Sequence, residues 1–178
     1  MGLSVAEMEE FLQPQMSATM AQGLTIVARR TGSDELVGAL LNDDLASPLP
    51  LDLSHLNPKY RPIIALLGSL EEHYNSGRSI AHGECLHLFM LAGDERFKGC
   101  GIGRGLVKTS LDNGFRKGYR TAVTEATAST SQHIFRTLGF AERFLICYRD
   151  FVYESTAVFR SIQDPSSAIL MEKPLWFS

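Results

Sequence analysis

The stretch "RFKGCGIGRGL", Arg96 to Leu106, has four glycines in eleven residues and an Arg or Lys at three other positions. Glycines at alternate positions leave the backbone open, so several peptide N–H groups can point into one concavity with no Cβ in the way. The chemistry offered is anion binding, with phosphate the obvious guest. Two phosphate loops are excluded by spacing. A P-loop requires G-x-x-x-x-G-K-[ST], but here Lys108-Thr109 follow Val107. The dinucleotide fingerprint G-x-G-x-x-G fails in each register, because Arg104, Leu106 or Lys108 takes the place of its third glycine.

The loop needs elements on both sides to aim its amides. Ahead of it lies "ECLHLFMLA" from Glu84, an almost wholly apolar run of the kind found in a strand covered on both faces. Behind it, Ile102 to Lys117 carries apolar residues at 102, 106, 107, 111 and 115, a helical stripe stopped by Gly118. The loop therefore sits at a helix N-terminus, where the dipole and free N–H groups favour an anion. Further along come a strand "RTAVTEA", a helix from Ser129 to Leu138 ended by Gly139, a strand "FAERFLICYRDF" and a last strand "AILMEKPL". Upstream, "GLTIVARR" and "ELVGALLN" flank the turn "TGSD" as a hairpin, "ASPLPLDLSHLNP" reads as a loop, and Tyr60 to Tyr74 forms a helix. This is an α/β (α+β) order with about six strands.

The motif Arg96-Phe97-Lys98-Gly99-Cys100-Gly101 fits [QR]-x-x-G-x-[GA] and is followed by "IGRGL" and, downstream, by "IFRTLGF". With its preceding apolar strand it resembles the GNAT superfamily of acetyl-CoA-dependent N-acyltransferases, over roughly Gly23 to the C-terminus. The resemblance implies a GNAT fold: a mixed central sheet splayed at the cofactor cleft, with helices on both faces. It also implies acetyl-CoA as the bound acyl donor. The pyrophosphate would be lined by Lys98, Gly99, Cys100, Gly101, Ile102, Gly103 and Arg104, with Arg96 opening the motif, and the pantetheine would face Phe89, Met90 and Leu91. Members of the superfamily commonly open with a strand and a helix. Here only "GLSVAEMEEFLQPQM" precedes the first clear strand, so that first strand is absent from the reading, while Glu9 and Glu10 lie on the remaining helix.

Acetyl transfer requires a base for the ammonium, a donor for the leaving thiolate and a backbone N–H for the oxyanion, expected near Phe89 to Leu91. The resemblance extends to vertebrate-type arylalkylamine N-acetyltransferases, whose H-x-H strand aligns with "ECLHLFMLA". His87 fills the second position and Cys85 the first. Alternation puts residues 85, 87 and 89 on one face, so His87 is the leading base with Cys85 beside it and Glu84 in reserve on the other face; a histidine satisfied in the interior is the competing role. Superfamily members commonly have a tyrosine acid where this chain has Phe135. Ser131 and Thr127 match hydroxyl positions of insect-type relatives, which makes Ser131 the candidate acid. Glu125, at its strand end, could attract a cationic amine.

The function implied is N-acetylation of a small primary amine by direct attack in a ternary complex. The alternatives are an acetyl-CoA sensor without turnover and a protein N-acetyltransferase. The 178 residues are read as one domain, 1–178, and a homodimer is compatible with that reading. A net charge of −3 argues against nucleic acid as a partner. Three separated cysteines suggest neither a disulfide framework nor a metal site. No apolar run reaches the about 18 residues of a membrane span and no signal peptide opens the chain, so the expectation is a cytoplasmic protein without membrane partners.

Overall fold

Strand β3 (Cys85–Gly93) occupies the middle of the molecule and shows why its sequence is so apolar, since helices cover both of its faces. The computed structural model describes residues 5–47 and 57–176. Its elements run α1 (Val5–Ala21), β1 (Ile26–Arg29), β2 (Leu36–Asp44), α2 (Arg61–Asn75), β3, α3 (Ile102–Arg116), β4 (Thr121–Ala126), α4 (Ser129–Thr137), β5 (Ala141–Cys147) and β6 (Ser167–Pro174). The six strands form one open sheet in the order β1-β2-β3-β4-β6-β5. Only β3 and β4 run parallel, joined by the crossover through α3, and every other neighbouring pair is antiparallel.

Local sequence explains the boundaries. The β1–β2 hairpin closes where Gly32 (φ +87°) takes the left-handed turn conformation and Arg30 N–H donates to the Glu35 carbonyl at 2.8 Å. Helix α2 begins with a proline in its first turn, where the missing N–H has no helical partner to lose. Helix α3 ends just before Gly118 at φ +94°.

Each face of the sheet has its own core. On one, Leu40, Leu86, Leu88, Ala122, Ile169 and Met171 meet Leu106, Val107 and Leu111 of α3 and Phe135 of α4. On the other, Cys85, Val123, Ala168 and Leu170 meet Leu66, Leu70 and Tyr74 of α2, together with Tyr148 and Phe159. Fully burying a side chain of this size stabilises the fold by about 1.5–3 kcal/mol, so these two layers hold the sheet rigid beneath the site.

The expected alternation of β3 holds only as far as Phe89. Leu41 pairs with Met90 but Asn42 with Leu88, a β-bulge that leaves Phe89 as the extra residue. Beyond it the phase changes: Leu86, Leu88 and Leu91 all pack towards α3 although the last spacing is odd.

Candidate active site

The bulge coincides with a gap in the sheet. Strands β3 and β4 pair only at Cys85/Thr121, Leu86/Ala122 and His87/Val123. After that β3 stays with β2 to Gly93, while β4 stays with β6 to Ala126. The two parallel strands thus part at His87, and among the described residues no strand pairs with residues 89–91 on the β4 side. Thr124 stands at the divergence and donates its hydroxyl to the Leu88 carbonyl at 2.9 Å, satisfying a buried acceptor that the missing strand partner leaves over.

Beyond β3 the glycine loop leads into α3. Gly99 and Gly101 adopt φ +83° and +78°, and a Cβ at either would meet nothing within 4 Å. The space outside both glycines is therefore open, so the loop backbone is accessible there. Gly101 is the helix N-cap and contributes no capping side chain. The first helical bond, from Gly105 N–H to the Gly101 carbonyl at 2.9 Å, leaves the N–H groups of Ile102, Gly103 and Arg104 ahead of it. Gly103 meets a second demand, since a Cβ there would come within 3.0 Å of Ile134 and 3.7 Å of Leu91. Lys98 and Arg104 are exposed and make no ion pair among the described residues, and Cys100 is exposed between them. Arg96 differs from expectation. Its guanidinium binds Asp94 (Nε–Oδ2 2.9 Å) and Glu35 (2.7 Å), which raises its pKa further, so this side chain ties the loop to the hairpin and is not turned to an anion.

On the α2 face of the same divergence lies a cluster of acidic groups around one imidazole. Asp43 of β2 stands directly across the ladder from His87. Glu125 lies two residues beyond Val123, the β4 partner of His87, and so shares that face. His87 Nδ1 is 2.8 Å from Asp43 Oδ1, and Nε2 is 2.8 Å from Glu125 Oε2. The three side chains are only 10%, 2% and 7% exposed in the order His87, Asp43, Glu125. Burial alone would push the His87 ring down, but Glu125 and Asp43 together raise it well above its ordinary value. Glu71 of α2 feels the same field. Burial raises its carboxyl, and Glu125 and Asp43 add to this against the opposing pull of His87.

The chain matches the model of the Acetyltransferase (GNAT) family over residues 7–140. It belongs to the GNAT acetyltransferase family. Among solved structures, the C-terminal condensation domain of Ebony in complex with β-alanyl-dopamine superposes with a TM-score of 0.89 at 17% identity, covering 98% of this chain and 83% of that one. Arylalkylamine N-acetyltransferase 2 from Aedes aegypti superposes at 0.79 with 20% identity, covering 94% and 80%. Polyamine N-acetyltransferase of Drosophila melanogaster gives 0.73 at 22%, covering 98% and 83%. At these identities the likeness shows a shared fold. No curated protein matches the chain significantly.

Within this GNAT fold the remaining predicted residues fall into two groups. Phe89, Met90 and Leu91 line the bulge beside the cleft, and the Phe89 ring stands 5.8 Å from that of His87. Thr127 is exposed just past β4, and its carbonyl accepts from the Tyr148 hydroxyl at 2.7 Å. Ser131 lies in the first turn of α4, where its hydroxyl accepts from Ala128 N–H (3.3 Å) and donates to the Ala128 carbonyl (2.8 Å). Phe135 is buried edge-on to Phe140, with centroids 5.0 Å apart.

The other group lies away from the point where the strands part. Cys85 packs among Leu66, Leu70 and Tyr74, and burial pushes its thiol up to about 12. Glu84 precedes β3, is exposed, and accepts from Ala81 N–H at 3.0 Å, three residues short of His87 and remote from the cleft end of the strand. Glu9 is exposed on α1, and the side chain of Glu10 lies outside the described residues.

Sequence reasoning missed Asp43, Glu71 and Thr124. The signal for Asp43 was two consecutive acids closing an apolar strand, "LVGALLNDD". Alternation sends Asp43 to the imidazole, while Asp44 on the opposite face accepts from Gly83 N–H (2.6 Å) and the Tyr119 hydroxyl (3.1 Å). Among the described residues no helix is long and apolar enough to cross a membrane.

Proposed function

We propose that this protein transfers an acetyl group from acetyl-CoA to a small primary amine by direct attack within a ternary complex. The observation that carries the reading is the placement of two unlike sites at one divergence of β3 and β4: an open glycine cradle at the start of α3, and a buried acidic cluster towards α2. The first suits a diphosphate and the second a cation.

Acetyl-CoA supplies the thioester. Lys98 to Arg104 would hold its diphosphate through backbone N–H groups and two cationic side chains. Residues 89–91, whose backbone groups no strand claims on the β4 side, would take the pantetheine and offer the N–H that steadies the oxyanion. The acceptor comes from the α2 side, where Glu125 and its acidic neighbours favour an ammonium, with Thr127 at the rim. His87 and Glu125 are the groups through which its proton can leave. Ser131 is the hydroxyl offered to the thiolate, reached by turning away from its contact with Ala128. An arylalkylamine or polyamine acceptor is supported by the structural neighbours whose names carry those substrates, and by Ebony, whose bound β-alanyl-dopamine is the amide of an arylalkylamine.

The test is release of free thiol from acetyl-CoA across a panel of arylalkylamines and polyamines. Acceptor-dependent thiol, with the acetyl group recovered on the amine, is expected. Cofactor binding without acceptor-dependent thiol would make the chain a binding module, and acetyl label appearing in protein would replace the small amine with a polypeptide.

A further inference from the structure

We infer that Glu125 is the group that takes the proton from the acceptor's ammonium, and that His87 is a positioning residue which Asp43 anchors and which fixes Glu125 where the strands part. The inference deepens the proposed acetyltransferase function and rests on it.

A general base needs a lone pair facing the substrate. His87 has none to offer. Both ring nitrogens lie 2.8 Å from carboxylate oxygens, one on each side. A neutral imidazole has one N–H, so one of these contacts would set a nitrogen lone pair against a carboxylate oxygen; the imidazolium, with two donors, satisfies both. The charged groups that touch the ring come from both flanking strands, Asp43 from β2 and Glu125 from β4, and Glu71 of α2 lies within their field. The two carboxylates in contact with the ring favour the cation and outweigh the burial that opposes it. A histidine held in this way bridges three adjacent strands at the last pair before the gap.

Glu125 has what His87 lacks. Its Oε2 accepts from His87, while Oε1 makes no hydrogen bond among the described residues. It lies one alternation past Val123, the last β4 residue paired with β3. The arrangement leaves one carboxylate oxygen of a strand residue without a hydrogen-bond partner among the described residues, beside the parting of the strands. The protons balance, with Ser131 as the hydroxyl beside the thiolate. The ammonium gives one proton to Glu125, and the freed nitrogen forms the N–C bond as the C–S bond breaks. The second proton from nitrogen goes to the departing thiolate, and Glu125 then returns its own to solvent.

Two measurements decide the matter. In nitrogen-15 spectra of the histidine rings, the signal lost in His87→Gln should show both nitrogens protonated at pH 8; a neutral ring there would overturn the positioning role. In kinetics, Glu125→Gln should lower kcat/KM for the acceptor by about a hundredfold or more and flatten its acid limb, with Glu125→Asp restoring part of the rate. His87→Gln and His87→Asn, each keeping one donor, should lose less and retain the acid limb. An acid limb that persists in Glu125→Gln and vanishes in the His87 variants would make His87 the base. A melting shift with acetyl-CoA shows each variant to be folded. If wild type turns over no amine, the acetyltransferase reading itself fails and the proposal with it, whereas turnover with the opposite pH pattern overturns only the proposal.

Discussion

Replacing Gly101 by valine separates two effects that the glycine combines. A Cβ at this position meets no atom within 4 Å, so the substitution causes no collision inside the protein. Its cost is conformational, because φ +78° places a β-branched L-residue in the left-handed region, worth about 1–2 kcal/mol. For a chain of this length each kcal/mol moves Tm by about 2–4 °C, so the unliganded variant should melt about 2–8 °C lower. The same cost falls on Gly32→Val in the β1–β2 turn, where φ is +87° and the Cβ again meets nothing. Ligand response should tell the two apart. At a hundred times its Kd, acetyl-CoA adds about 2.7 kcal/mol, or about 5–11 °C. Wild type and Gly32→Val should both show that shift, and Gly101→Val should lose it because the valine occupies the cradle. Thermal melts with and without acetyl-CoA make the comparison, with Gly101→Ala as a milder variant. A full shift in Gly101→Val would show that the diphosphate lies elsewhere and would remove the main support for the cofactor assignment.

Other perturbations probe the scaffold and the proton donor. Tyr74 donates to Glu172 at 2.8 Å; burial works to raise that carboxyl, but Tyr74, Arg143 and Arg78 outweigh it and hold it below its ordinary value. Stability from a lowered carboxyl is present above its unfolded pKa and lost as pH falls through the folded one. Tyr74→Phe should therefore cost about 1.5–3 kcal/mol near neutrality, with the gap to wild type closing below about pH 4; a gap constant with pH in denaturant titrations would refute this. Ser131→Ala should remove about 1 kcal/mol of helix capping and lower turnover about tenfold, with a smaller kinetic loss in the Phe135→Tyr background. Lowered Tm with unchanged turnover would leave Ser131 as a cap alone.

The legible parts of this protein are those written in consecutive residues. The α3 stripe, the left-handed glycines of the loop and the apolar β3 run each depend on neighbours a few positions away, so periodicity and glycine placement place α3, α4 and the strands to within a few residues. The loop that the proposed function makes a diphosphate site is local in the same sense, because its left-handed glycines and the free N–H groups of the α3 start are set by consecutive residues. The role of a side chain is not local. His87 meets Asp43 across 44 residues and Glu125 across 38, and Arg96 is drawn from the cradle by Glu35 at a distance of 61. Alternation along one strand says which residues share a face, but only the ladder register says which residues of the next strand stand opposite. That register decided that Cys85 meets the α2 core while His87, one alternation further, meets two carboxylates. The bulge at Phe89 and the parting of β3 from β4 were settled by packing too, since no single strand carries a mark for where its neighbour leaves it. The proton chemistry of the site therefore belongs to the tertiary structure, because the field that sets the protonation of His87 comes from groups that only folding brings within 3 Å.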